Sequence, residues 1–411
     1  MKNIMIANPF RVFKNVQYLL YWVLNTFSLM GSWVDFTLRQ WVIVEMVKSE
    51  RSAAAYVGLY NLVRFIPAVL FSFFAGYVSD RFNPKKVLVL ITIIDFLNAC
   101  VISFLVYTNN LNIFNFAVLG FILGLTGSFY FPVRSKFINL MVKETSDIPA
   151  SFSWQGISFN LSRIIGPVIA GYVAKYWGIH FGFLINAFSY IPLIVYLFFF
   201  SGSLSDDKFK GILSKKEGVL QEIKNTFFYI LKNSKLLKCF YNIFTINFLG
   251  VSLFSFLQIF VKEVLNGNIA YFSYLVSILG AGAVIGALLV ASLNYQTILY
   301  FPQEIFLLFF GVAILIFSIL PKYSFLLMFF IGIFQALTFG LTNNKVQLIT
   351  DENILGKIMG IYSFFNISIS YLGVFVISKI GYILGVLNLF KIVSLIIIFS
   401  AIYIGLKIKE G

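Results

Sequence analysis

Twelve long apolar runs set the terms on which this chain can fold. They lie at roughly 16–46, 53–79, 86–107, 112–131, 150–175, 180–200, 237–262, 270–293, 298–319, 323–344, 356–379 and 383–406. A helix needs about 20 apolar residues to cross bilayer hydrocarbon, and every run reaches that length. Most connections between them are short, so nearly the whole chain is committed to lipid. Only 11% of its 411 residues are charged, against about 25% in a soluble domain. A water-soluble globule is excluded, because too little polar surface remains to disperse it. The expected fold is all-α and integral to the membrane: twelve transmembrane helices in two six-helix, pseudo-symmetric bundles.

The basic residues give an orientation. With the N-terminus placed inside the cell, the inner connections and the run ends beside them hold 21 Lys and Arg and the outer ones 6. Short inner loops carry such an excess in membrane proteins. This reading also absorbs the net charge of +15, which in a soluble chain would point to nucleic acid. The expected location is the inner membrane of a bacterial cell, with both termini cytoplasmic. The first run follows Arg11 and Lys14 and has no A-x-A-like cleavage site after a short apolar stretch, so it reads as a permanent span.

One polar stretch, 201–236, divides six runs from six. Its first part holds Asp206, Asp207, Lys208, Lys210, Lys215 and Lys216; its later part mixes Lys with Phe227, Phe228, Ile230 and Leu231. The expected organisation is a bundle at 1–200, a cytoplasmic linker at 201–236 with an amphipathic helix on the inner membrane surface, and a second bundle at 237–411. Leu140–Glu144 and Leu348–Glu352 follow the fourth run of each half, and Asn160-Leu-Ser and Asn366-Ile-Ser recur about sixteen residues later. This spacing suits parallel halves related by an axis along the membrane normal.

Catalytic patterns are missing. There is no Walker A loop, no His-Glu helix motif, no nucleophile elbow and no Cys-His cluster. Cys100, Cys239 and the single His180 make neither a disulfide framework nor a metal site. The chain reads as a non-enzyme without cofactor or metal. Gly280-Ala-Gly282-Ala-Val-Ile-Gly286 lies inside an apolar run and follows no strand, so it reads as helix packing rather than a nucleotide loop. Gly120 and Gly124 read the same way.

After the second run stands Gly76-Tyr-Val-Ser-Asp80-Arg81-Phe-Asn-Pro-Lys85-Lys86. A basic loop alone would set topology, but the ordered pattern resembles the G-x-x-x-D-R-x-G-R-[KR] loop of the major facilitator superfamily. Asn83-Pro84 departs from it. In the family this loop locks the two halves at the cytoplasmic face in one state. The resemblance therefore implies that Gly76, Asp80, Arg81, Lys85 and Lys86 form a gating loop against the start of span eleven, with Arg134, just after span four, as cationic companion. The block Asn160-Leu-Ser-Arg163-Ile-Ile-Gly166-Pro167-Val-Ile-Ala-Gly171 is similar to the family's antiporter signature, with Gly166, Pro167 and Gly171 at a helix bend. With Pro132 and Arg134 it extends the resemblance, over about the first 200 residues, to macrolide-efflux and siderophore-export permeases. In the second half Asp351-Glu352, Gly356-Lys357 and Gly360 resemble the start of span eleven. The counterpart of the Asp80 loop, near 294–303, does not resemble its pattern.

Charges inside spans are costly and default to functional hypotheses. Asp35 and Arg39 sit four apart on one helix face. Arg64, Asp95 and Arg163 lie in spans two, three and five, and Lys391 in span twelve. Each acid reads either as half of a structural ion pair or as a carboxylate that alternates between a proton and a cationic partner. Asp35, Arg39, Arg64, Asp95, Asn160 and Arg163 are the candidates for proton coupling and the substrate cavity, with Asp35 first because its span lines the cavity in the family. Lys391 reads as structural or snorkelling. Glu45 and Glu304, near span ends, read as surface groups. Trp33, Phe36, Trp41 and Trp154 would line an apolar cavity or face lipid.

The expected function is proton-coupled efflux of an amphipathic, drug- or siderophore-like small molecule by alternating access. The expected partners are that substrate, protons and the lipid bilayer, the chain being a monomer that binds no nucleic acid. Two rivals stand beside it: a lysophospholipid or lipid translocator of the same fold, and a membrane sensor or scaffold that does not transport.

Overall fold

A computed structural model describes residues 9–47, 49–142, 144–200 and 219–407. Among them there is helix and no strand. A short 3₁₀ turn, Pro9–Lys14, leads into α1 (Val16–Met46), α2 (Glu50–Arg81), α3 (Pro84–Tyr107), α4 (Ile113–Met141), α5 (Ile148–Tyr176) and α6 (Ile179–Phe199). Helix α7 (Val219–Lys232) falls in the stretch where an amphipathic helix is expected; residues 201–218 lie outside the described ones. Helix α8 (Ser234–Thr245) passes through a π turn (Ile246–Val251) and a 3₁₀ turn (Phe254–Phe256) into α9 (Leu257–Glu263). Then come α10 (Ile269–Ala291), α11 (Tyr295–Tyr300), α12 (Glu304–Ile319), α13 (Ser324–Ile349), α14 (Glu352–Leu384) and α15 (Val386–Lys407).

Nine described segments, with α8 through α9 taken as one, are long and apolar enough to span. The shorter apolar α12 and the 31- and 32-residue α1 and α2, which carry the charged Asp35, Arg39 and Arg64, complete twelve. Large apolar side chains point outward along these rods, Phe114 at 77% exposure and Phe399 at 67%. Such a surface is stable only against lipid.

The span boundaries depart from the apolar runs where polar residues continue a helix. Helix α4 runs through Pro132 to Met141, so Arg134 is a helical residue and not part of the following loop. Helix α13 likewise carries Lys345, buried at 2% exposure, inside its last turns. The ninth run breaks: Pro302 disfavours helix at Phe301, separating α11 from α12.

Local chemistry explains the Asn83-Pro84 step. Asn83 is the N-cap of α3, its side chain accepting from the Lys85 N–H at 3.0 Å. Pro84 fills the first helical position, where a missing N–H costs nothing. The pair starts a helix where the family pattern has a glycine. Asn112 opens α4 with a capping box to Asn115.

The chain divides into two compact units, Met1–Arg39 with Val63–Leu213 and Gln40–Leu62 with Ser214–Gly411. In the first, Gly124 lets α4 lie against the Arg64 carbonyl of α2, and Gly166 lets α5 lie against Met30 and Trp33 of α1. In the second, Gly282 and Gly286 meet the Phe329 and Ile333 carbonyls while Gly332 meets Leu279, so α10 and α13 touch backbone to backbone. Small residues allow this approach in lipid, where packing replaces the hydrophobic drive. Residues 40–62 are held in that second unit by polar contacts. Gln258 Nε2 donates to Gln40 Oε1 at 3.3 Å and Lys262 Nζ to the Val44 carbonyl at 2.8 Å. Glu50 accepts from the Val386 N–H.

Candidate functional site

The first unit concentrates the intramembrane charge. One turn of α1 brings Arg39 Nε to 2.7 Å from Asp35 Oδ2. Both residues are buried. The other arm of the Arg39 fork donates to Asn98 Oδ1 on α3 at 2.7 Å, and Asn98 in turn donates to the Leu119 carbonyl of α4 at 3.0 Å. The guanidinium lies 6.0 Å from the ring centre of Phe116 and 5.7 Å from that of Phe183. Arg39 thus joins α1, α3, α4 and α6 through one charge. Asp35 Oδ1 is buried and has no hydrogen-bond partner among the described residues.

A second carboxylate lies beside this pair. Asp95, one helical turn from Asn98 on α3, accepts from Thr126 Oγ1 of α4 at 2.6 Å. It is within electrostatic reach of Asp35, Arg64 and Arg39. Arg64 rests 5.8 Å from the Phe36 ring centre. Tyr190 of α6, also in reach of both acids, shares a 3.0 Å hydrogen bond with Ser32 of α1. Four of the charged candidates, Asp35, Arg39, Arg64 and Asp95, are therefore brought together, two of each sign. In a low-dielectric setting such a set is tolerated because it is mutually compensated. Moving one proton on or off would unbalance it.

Asn160 is elsewhere: it is exposed and bonds the Gly156 carbonyl of its own helix at 3.0 Å. Arg163 is half-buried on α5. Gly166 and Pro167 are buried at the α1–α5 contact, and Gly171 is buried further along α5. Trp33 packs on Phe36 and Phe159; Trp154 packs on Phe10, Phe13 and Trp22. In the second unit Trp41 lies near Phe272. Of the gating-loop candidates, Arg81 and Lys86 are exposed. Lys85 Nζ donates to the carbonyls of Phe198 and Phe200, at 3.2 and 2.7 Å, and so closes the C-terminus of α6. Gly76 and the side chain of Asp80 lie outside what is described of α2. Arg134 lies over the rings of Tyr130 and Phe131, each at 5.2 Å.

Three features escape a reading of the sequence. Helices α1 and α5 share a polar seam: Tyr18 donates to the Ser151 carbonyl, Trp22 to the Trp154 carbonyl, and Asn25 to Gln155 Oε1. Its signal was present as Ser151, Gln155 and Ser158 at helical spacing. In the second unit Glu304 is buried, not at the surface, and pairs with Lys238 at 2.7 Å; Glu45 stays exposed, accepting from Trp41 Nε1. Outside the spans, Arg11 binds Asp147 at 2.6 Å beside a cavity of about 670 Å³ that Lys14 and Glu144 also line. The Asp147 carboxylate, by hydrogen bond and then by charge, raises the Arg11 pKa above its usual value.

Comparison with known proteins adds the following. The family model described as Major Facilitator Superfamily matches residues 21–374. A staphyloferrin A transporter of Staphylococcus aureus is 23% identical over 177 residues, 43% of this chain and 43% of its own length. That match therefore spans less than half of the relative. A bacterial homolog to the human lysosomal transporter Spinster, solved facing inward, superposes with a TM-score of 0.73 at 10% identity, covering 96% of each chain. A D-xylose–proton symporter gives a TM-score of 0.69 at 13% identity over 97% of this chain and 98% of its own. At these identities the superpositions speak for the fold alone.

Proposed function

Because the chain belongs to the Major Facilitator Superfamily, we propose that it is a secondary transporter exporting an amphipathic small molecule by alternating access, driven by proton entry. The observation that carries this is the buried Asp35–Arg39–Asn98 chain, with Asp95 and Arg64 beside it, in the middle of membrane-spanning helices. In the proposed cycle ionised Asp35 holds Arg39 on Asn98 and compensates its charge. A proton arriving at Asp35 removes the carboxylate charge, weakens its hold on Arg39, and makes the two arrangements of the bundle unequal in energy. Asp95, held by Thr126, is the second carboxylate through which the same proton can be passed or its charge balanced.

The siderophore-export resemblance of the first half and the partial match to a staphyloferrin A transporter support a siderophore-like substrate. The excess of inner-loop Lys and Arg supports an inner-membrane protein with both termini in the cytoplasm. The two halves on either side of the linker act as the moving bodies, and the loop from Gly76 to Lys86 as their gate.

The test is flux in proteoliposomes under an imposed pH gradient. Asp35→Asn keeps the side-chain shape and removes the titrating group. Proton-driven flux falls at least tenfold, whereas exchange of substrate without a gradient persists. Undiminished proton-driven flux in this variant removes Asp35 from coupling, and the same result in Asp95→Asn removes the cluster.

A further inference from the structure

Three of the cations above are compensated by carboxylates: Arg39 by Asp35, Lys238 by Glu304 and Arg11 by Asp147. Arg134 on α4 is not. Among the described residues no carboxylate forms an ion pair with it, and the groups in its electrostatic reach are the phenols of Tyr130, Tyr21 and Tyr18. Its guanidinium lies 5.2 Å from the centres of two aromatic rings, and its Nε is buried without a hydrogen-bond partner.

A second donor without an acceptor lies close by. Gln155 of α5 is buried, and its Oε1 accepts from Asn25, but its Nε2 has no partner. Tyr130, whose ring lies under Arg134, donates its hydroxyl to Asn25 Oδ1 at 2.7 Å. Tyr18 lies beside Gln155 and within reach of Arg134. Two buried nitrogens, Arg134 Nε and Gln155 Nε2, thus flank one small network with no acceptor in hydrogen-bond geometry, the phenol oxygens of Tyr130 and Tyr18 standing beside them. A buried donor without an acceptor costs free energy, and a cation at membrane depth costs more. An arginine fork matches a carboxylate or phosphate with two parallel hydrogen bonds.

We propose that Arg134, with Gln155 beside it, forms a recognition site for an oxyanion, a carboxylate or phosphate group carried by the transported molecule. The proposal rests on the transporter reading and deepens it by giving the substrate a sign. The rings of Tyr130 and Phe131 supply apolar surface beside the charge, which suits a molecule that is anionic at one end and apolar at the other.

The test uses the full chain in nanodiscs of zwitterionic lipid, titrated with citrate, with inorganic phosphate and with the lipophilic cation tetraphenylphosphonium, followed by thermal stability and calorimetry. Citrate or phosphate raises the Tm of the wild type, and the rise continues with the logarithm of concentration above the Kd. Arg134→Gln weakens the apparent Kd at least tenfold, Arg134→Lys less, and Gln155→Leu severalfold; the last two guard against a variant that fails to fold. Tetraphenylphosphonium binding does not depend on Arg134. A parallel set in nanodiscs containing phosphatidylglycerol separates a soluble anion from a lipid headgroup. The proposal is overturned if neither anion affects the wild type, if Arg134→Gln binds them equally, or if only the anionic lipid gives an Arg134-dependent effect. Arg134-dependent citrate binding with no proton-driven flux would sink the transporter reading and leave this site standing. Flux without oxyanion binding would do the reverse.

Discussion

Lys238→Met is the substitution whose consequence can be worked furthest from the structure. Lys238 Nζ and Glu304 Oε1 are 2.7 Å apart, and their side chains are 8% and 9% exposed. The other carboxylate oxygen, Oε2, is buried and has no hydrogen-bond partner among the described residues. The lysine therefore carries most of the compensation of that charge. Removing one member of a buried pair costs about 3–5 kcal/mol, while replacing both by apolar residues of similar volume is close to neutral. Lys238→Met alone should lower stability by about 3–5 kcal/mol, a fall in Tm of about 5 °C for a chain of this length. Lys238→Met with Glu304→Met should return to within about 1 kcal/mol of the parent. Tryptophan fluorescence during thermal unfolding in detergent reads both. A double variant as unstable as the single one would show that the lost lysine stem, and not the stranded carboxylate, carries the cost, and the reasoning from charge compensation fails.

Other outcomes follow from single contacts. Gly282→Val places methyl groups against the Phe329 carbonyl and should cost about 1–3 kcal/mol by forcing α10 from α13, whereas Gly127→Ala, with nothing within 4 Å of the new methyl, is neutral or slightly stabilising; a thermal melt of both checks the contrast. Arg11→Ala should destabilise far less than Lys238→Met, because Arg11 reaches its partner from the exposed side, where solvent screens the pair. The folded Arg11 pKa is raised, so its contribution is complete below the unfolded value and is lost only as pH climbs past the folded one. The Arg11→Ala difference should thus hold over roughly pH 6–9 and shrink between about 0.05 and 0.5 M salt, as melts at each condition would report.

What the sequence made legible was what lipid enforces. The first run, 16–46, coincides with α1 because its ends are set by where apolar residues stop. The helices that outrun their apolar cores, α4 past Pro132 and α13 past Asn344, were not legible, since backbone hydrogen bonding continues a helix into polar sequence when neighbouring helices cover it. The Asp35–Arg39 pair could be read from four-residue spacing on one helix. Its extension to Asn98, and the Asp95–Thr126 bond, join different helices and have no local signature. Glu304 was misread as a surface group for the same reason: position near a span end says nothing about a lysine 66 residues earlier that meets it. Arg134 was assigned to a loop by hydropathy, and only the helix geometry shows it lying over two aromatic rings.

The proposed coupling requires the Asp35 carboxylate of α1 to take up and release a proton within the membrane. Infrared difference spectra of the purified protein, recorded as the pH is stepped from alkaline to acid, measure this directly. The account predicts a protonated-carboxyl band that grows on acidification, is lost in Asp35→Asn, and shifts when substrate is present. The same band, unchanged in amplitude and position in Asp35→Asn, would contradict it.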